Sequence, residues 1–200
     1  MGMGITREVG SDSIPVWQGT DKDIQLAQGG FLLSATGLAD KSLIPAGTPV
    51  VFDEANRTAS ILGTAVAQAN AGATDTSYKV LKGHTLKVGD NFATGATGGK
   101  AYPITAIDTS NADYDTVTVG TTIGAVTAGD LLYASTATGA TASALPAING
   151  CLYADTLSGS GEDISAVIRG TAYARRVPYS AAIAAALKTN GAQIIYSQSK

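Results

Sequence analysis

One cysteine, one histidine and one tryptophan stand among 200 residues, and Asp, Glu, Lys and Arg together supply only 14% of them. A lone cysteine makes no internal disulfide, so stability must come from packing or oligomerisation. One Cys and one His cannot furnish a dedicated zinc site. A single histidine also removes most nucleophilic triads, which need it beside the attacking group. There are 13 basic residues and a net charge of −3, and Arg175-Arg176 is the one adjacent basic pair. The clustered cations that grip phosphates are missing, so no nucleic-acid partner is expected. No apolar run reaches the roughly 18 residues that span a bilayer, and no membrane partner is expected. The opening Met1-Gly2-Met3-Gly4-Ile5-Thr6-Arg7-Glu8 lacks the apolar stretch of a signal peptide, which implies synthesis in the cytoplasm.

The missing charge is replaced by Ala, Gly, Thr and Ser, a mixture that favours extended structure with neutral surfaces. One phrase recurs: a lead-in, a glycine, a small polar residue, then an apolar strand. Ile44-Pro45-Ala46-Gly47-Thr48-Pro49-Val50-Val51-Phe52 states it, Leu86-Lys87-Val88-Gly89-Asp90-Asn91-Phe92 repeats it, and Val126-Thr127-Ala128-Gly129-Asp130-Leu131-Leu132-Tyr133 gives it again. Glycine permits the tight turn, and the residues after it suit a pleated strand.

Residues 1–28 hold scattered charge and no sustained period, which reads as an N-terminal arm. Trp17 in that arm is an anchor either for another surface or for the protein's own core. Val50-Val51-Phe52 and Ile61-Leu62-Gly63-Thr64-Ala65-Val66 flank a polar turn and predict a β-hairpin. Pro103-Ile104-Thr105-Ala106-Ile107-Asp108 and Tyr114-Asp115-Thr116-Val117-Thr118-Val119 read as strands, and so does the run around Cys151. One helix is predicted over residues 179–190: Ser180 caps it, Ile183 and Leu187 share a face, and Asn190-Gly191 stops it. Ala192-Gln193-Ile194-Ile195-Tyr196 returns as a final strand.

No catalytic constellation emerges. His84 lies in a turn, where facing solvent is the default. Ser158-Gly159-Ser160-Gly161-Glu162 sits in a polar loop rather than at a nucleophile elbow. Asp108, Asn111, Asp113 and Asp115 gather oxygens that suit a hard cation, but their spacing is not that of a calcium loop, and a solvated turn is the simpler reading. Gly95-Ala96-Thr97-Gly98-Gly99-Lys100 ends like a phosphate cradle, yet Ala101 replaces the required Ser or Thr and no helix follows. No cofactor, metal or enzymatic activity is expected.

Leu43-Ile44-Pro45-Ala46-Gly47-Thr48-Pro49-Val50 with Ala59-Ser60-Ile61-Leu62-Gly63-Thr64-Ala65, and the closing run from Val167-Ile168-Arg169-Gly170 through Leu187 to Ile194, resemble head decoration and head fibre proteins of tailed bacteriophages. The strands over residues 103–108 and 114–119 are similar to segments of the head fibre proteins. The resemblance implies a mainly β fold: a small barrel-like or sandwich-like (β-tulip-like) domain over residues 29–70 and 145–200 with one short C-terminal helix. Residues 71–144 then form a β-rich insertion or second lobe. It further implies a non-enzymatic virion structural protein on the capsid surface, bound to the major capsid protein as a homotrimer at local three-fold sites. The arm would reach the shell by adding a strand to it, with Ile5, Ile14, Val16 and Trp17 as candidate contacts. A fibre segment, or an adhesin that binds a host glycan, is the alternative.

Overall fold

Each of the three glycine phrases folds into the same turn and launches a strand. The computed structural model describes residues 15–34, 37–159 and 161–197. Gly47, Gly89 and Gly129 take φ of 79°, 94° and 91°, left-handed values that side-chain-bearing residues adopt only at a cost. Thr48 N–H donates to Pro45 O (3.3 Å), Asp90 N–H to Lys87 O (3.2 Å) and Asp130 N–H to Thr127 O (3.0 Å). The residue after each glycine locks its turn. Asp90 and Asp130 Oδ2 accept from the backbone N–H of Lys87 (3.0 Å) and Thr127 (2.8 Å). Pro45 has no N–H to offer, and there Thr48 Oγ1 donates to the Pro45 carbonyl instead (2.7 Å). Ile44, Leu86 and Val126, which precede the turns, are buried and pin each one to a core.

In chain order the strands are β1 (Trp17–Gln18), β2 (Gln25–Leu26), β3 (Phe31–Ser34), β4 (Leu43–Ile44), β5 (Pro49–Asp53), β6 (Thr58–Ile61), β7 (Thr64–Val66), β8 (Ser77–Leu81), β9 (Asn91–Thr94), β10 (Ala101–Asp108), β11 (Tyr114–Val119), β12 (Leu131–Ser135), β13 (Gly150–Leu152), β14 (Thr156–Leu157), β15 (Asp163–Ile164), β16 (Ala166–Tyr173) and β17 (Gln193–Ser197). The fold is mainly β, with one short α-helix, α1 (Ala181–Thr189), among the described residues.

Two sheets hold most of the strands. A nine-stranded sheet runs β1-β16-β13-β5-β6-β3-β15, with β2 and β17 also paired to β16. The long strand β16 is its hub. Val167 faces Leu26 on one side and Cys151 on the other, and Ala172 faces Trp17 on one side and Tyr196 on the other. A six-stranded sheet runs β7-β12-β9-β10-β11-β8. Its outer strands meet through an Ala67–Val80 bridge and a bond from Gln68 N–H to Lys79 O (2.9 Å), which curls the sheet onto itself. Period-2 alternation turns Tyr78 and Val80 of β8, and Val117 and Val119 of β11, into the interior, where they meet Phe92, Ile104 and Leu132.

A third core joins the layers: Ala93, Ala101 and Tyr133 from the six-stranded sheet meet Cys151 of β13 and Ile183 and Leu187 of α1. The helix forms as its caps dictate. Ser180 Oγ accepts from Ile183 N–H (3.2 Å), and Gly191 at φ 92° ends the helix. Each fully buried aliphatic here contributes about 1.5–3 kcal/mol.

Two boundaries differ from the sequence expectation. The second lobe spans Thr64 to Ser135 rather than residues 71–144, because the hairpin's return strand stops at Ile61. A Cβ at Gly63 would lie 3.1 Å from Ala134 Cβ and 3.3 Å from Thr85 O, so a side chain there would crowd the passage between the sheets. Of the expected arm, residues 1–28, the part from Pro15 onward is built into the nine-stranded sheet through β1 and β2. The Ala27 N–H to Ala166 O bond (2.8 Å) extends that pairing.

Candidate interaction surface

The final strand leaves an edge open. After Gly191 the chain reverses, Ala192 N–H bonds to Leu187 O (2.9 Å), and β17 lies parallel to β16. Among the described residues β17 has no second partner strand. Its outer backbone groups are therefore free to pair with another chain. Ile195 on this edge is 65% exposed. Beside it a groove of about 740 Å³ runs between α1 and β17, lined by Tyr179, Ala184, Ala185, Lys188 and Tyr196. The Tyr179 and Tyr196 rings sit 4.9 Å apart at 50°. Behind them Cys151 Sγ lies 3.9 Å from Tyr196 Oη. Burial pushes the Cys151 thiol up to about 12 and raises the Tyr196 hydroxyl as well. Both stay neutral, and Cys151 is a structural thiol. A second apolar spot lies on the β4–β14 ribbon, where cross-strand partners Leu43 and Leu157 are 56% and 45% exposed.

A narrower groove, about 270 Å³, opens at the junction of the two sheets. Pro45, Val66, Leu131 and Val177 give it apolar walls, and Arg175 and Arg176 stand at it. No carboxylate lines it among the described residues. Lys82 and His84, also on its wall, are held by Asp115. Alternation along β11 places Asp115 on the inward face with Val117 and Val119, buried at 5% exposure, so the carboxylate needs partners. Lys82 Nζ donates to Asp115 Oδ1 at 2.5 Å and to Thr109 O at 3.0 Å. His84 Nδ1 accepts from Leu86 N–H (3.2 Å), which leaves its proton on Nε2, 3.3 Å from Asp115 Oδ2. Burial holds the His84 imidazole below the usual histidine range, outweighing the upward pull of Asp115. His84 faces inward rather than to solvent, and the neutral ring bridges two elements of the lobe.

The other sequence candidates are structural. Asp108 Oδ1 accepts from Ser110 N–H (3.0 Å) and Asn111 Oδ1 from Asp113 N–H (2.9 Å), while Asp115 faces the interior. The four side chains do not converge, and no cluster of three or more metal-ligating His, Cys, Asp or Glu occurs among the described residues. Residues 95–100 make the turn between antiparallel β9 and β10, and Gly99 N–H is committed to Ser143 Oγ (2.8 Å). Ser158 Oγ is buried, donating to Ala39 O (2.6 Å) and accepting from Ser42 N–H (2.8 Å).

Of the proposed arm contacts, Ile5 and Ile14 lie outside the described residues. Val16 O accepts from Tyr173 N–H (3.0 Å), and its side chain packs beside Gly47. Trp17 is half-buried in the interlayer core and donates Nε1–H to Tyr153 O (2.8 Å). The tryptophan anchors the protein's own fold. Comparison with known protein families, curated protein sequences and solved structures finds no match.

Proposed function

We propose that the chain is a non-enzymatic structural protein of a virus particle, one that binds the outside of a mature tailed-phage capsid, as a trimer at local three-fold sites, and stiffens the shell. The open edge of β17 beside its apolar groove carries this reading. Such an edge gains backbone hydrogen bonds from any strand laid along it, and the groove takes that strand's alternate side chains. The phage-like phrases of the sequence and a weakly charged, Ala-, Gly- and Thr-rich composition point to the same class.

Co-sedimentation with expanded and unexpanded shells tests it. Saturable binding to the expanded shell alone is expected, weakened about tenfold by Ile195→Glu, which loses roughly 1.4 kcal/mol of edge contact. Absence of binding to both shells overturns it. A glycan-binding adhesin is the second reading, favoured by the paired Tyr179 and Tyr196 rings at the groove. It predicts saturable binding to host-surface glycans that is lost in Tyr179→Ala.

A further inference from the structure

The rim of the junction groove is cationic from both sides. Arg175 and Arg176 reach it from the turn after β16, and Lys82 from the turn after β8. Arg176 is held in place: its guanidinium lies 4.5 Å from the centre of the Tyr173 ring, and Nη1 donates to Pro15 O at 2.5 Å. Lys82 is paired with Asp115, but neither arginine forms an ion pair among the described residues. In a chain of net charge −3, two uncompensated guanidinium groups beside apolar walls call for a carboxylate.

The chain itself presents one. The turn between β5 and β6, Asp53-Glu54-Ala55-Asn56, is exposed and carries two carboxylates. Asp53 stiffens it: Oδ1 accepts from Ala55 N–H (2.8 Å) and Asn56 N–H (3.2 Å), and Asn56 Nδ2 donates to Oδ2 (2.6 Å). These bonds, the one from the Asn56 side chain foremost, hold the Asp53 carboxyl below the usual carboxylate range. The next residue, Arg57, is turned back onto Gln28 O (2.5 Å) and the Phe31 ring. Glu54 is left at the tip with no ion pair among the described residues. Thr48 lines the groove, and β5 carries the chain roughly 17 Å away from it before the turn. The other acidic turn, residues 108–113, stands at the groove's own rim, because Lys82 Nζ donates to Thr109 O (3.0 Å).

We propose that the chain self-associates head to tail, the Asp53-Glu54 tip of one copy seating in the junction groove of the next against Arg175 and Arg176. A contact between two different patches closes into rings or runs on as chains instead of stopping at a two-fold pair. It stands apart from shell binding, which uses the β17 edge and is tested with shells.

Sedimentation velocity of the full chain over a wide concentration range, with no shell present, tests the contact. The parent is expected to associate as its concentration rises, and less so as salt is raised. Arg175 and Glu54 are both exposed, so their variants keep the fold. Arg175→Glu and Glu54→Arg should each weaken association about tenfold. Combining the two exchanges the charges and should restore association to within about threefold of the parent. A parent that stays monomeric throughout overturns the proposal, and so does association that either single variant leaves intact or that the exchanged pair fails to restore. Association lost in Ile195→Glu but kept in Arg175→Glu would place the contact on the β17 edge and overturn it equally.

Discussion

Replacing the glycine of each repeated turn by alanine perturbs three copies of one local geometry in three different surroundings. At Gly89 and Gly129 an added Cβ meets nothing within 4 Å. The cost there is the left-handed conformation alone, about 1–2 kcal/mol, offset by roughly 0.4–1 kcal/mol from the stiffer unfolded chain. The net loss is about 1 kcal/mol at each. At Gly47 the Cβ would lie 2.2 Å from Val177 Cγ1 and 3.0 Å from Val16 Cγ1. Overpacking of this kind adds about 1–3 kcal/mol, which brings the total to about 3 kcal/mol. In a chain of this size each kcal/mol moves Tm by roughly 2–4 °C. Gly47→Ala should therefore melt about 6–12 °C below the parent, and Gly89→Ala and Gly129→Ala only about 2–4 °C below. Thermal and urea unfolding followed by circular dichroism measure all three. Equal losses would refute the reasoning, since an added Cβ is crowded by neighbouring side chains at Gly47 and at neither of the other two glycines.

Stability should also carry the signature of His84. The unfolded ring titrates near 6.5 and the folded one lower, so the unfolded state takes up the proton first as pH falls. Stability is then level above about pH 6.5 and declines below it, by at most ~1.4 kcal/mol per pH unit, until the folded ring protonates. Urea titrations between pH 8 and 5 should show this slope in the parent and a flatter profile in His84→Gln; matching profiles would count against it. Leu187→Ala empties the core that joins the layers and should cost about 3 kcal/mol, with both sheets still melting in one calorimetric transition. Trp17→Phe deletes the bond to Tyr153 O and should cost about 1 kcal/mol, whereas a tryptophan reserved for a partner would leave the melting temperature unchanged.

The parts of the fold written in contiguous residues were legible. The glycine phrase is one turn in three places because positive φ, the locking side chain and the buried lead-in all sit within five residues. The helix was readable for the same reason: cap, stripe and stop are local. Strands β1 and β2 were not, since two residues show no period and their pairing depends on β16, some 140 to 155 residues away. Asp115 alternates with Val117 and Val119 and is buried with them, whereas its spacing from Asp108, Asn111 and Asp113 had suggested a solvated turn. Its partners Lys82 and His84 lie about 30 residues upstream and meet it only when β8 pairs with β11. The junction groove shares that origin, whereas the groove between α1 and β17 is built within residues 179–196. The junction groove's walls come from segments far apart in the chain, and no short motif announces it.

The strand that takes partners along both sides also fixes where the chain can be held. Val16 bonds to Tyr173 on one side of β16, and Ser197 is registered against Tyr173 on the other. The two ends of the described chain thus emerge at one end of the same strand, two strand spacings or about 10 Å apart. A load applied between them would peel β1 and β17 away one hydrogen bond at a time, as a zipper opens, instead of shearing whole ladders at once. Pro15 and Ser197 stand at the same corner, beside the junction groove.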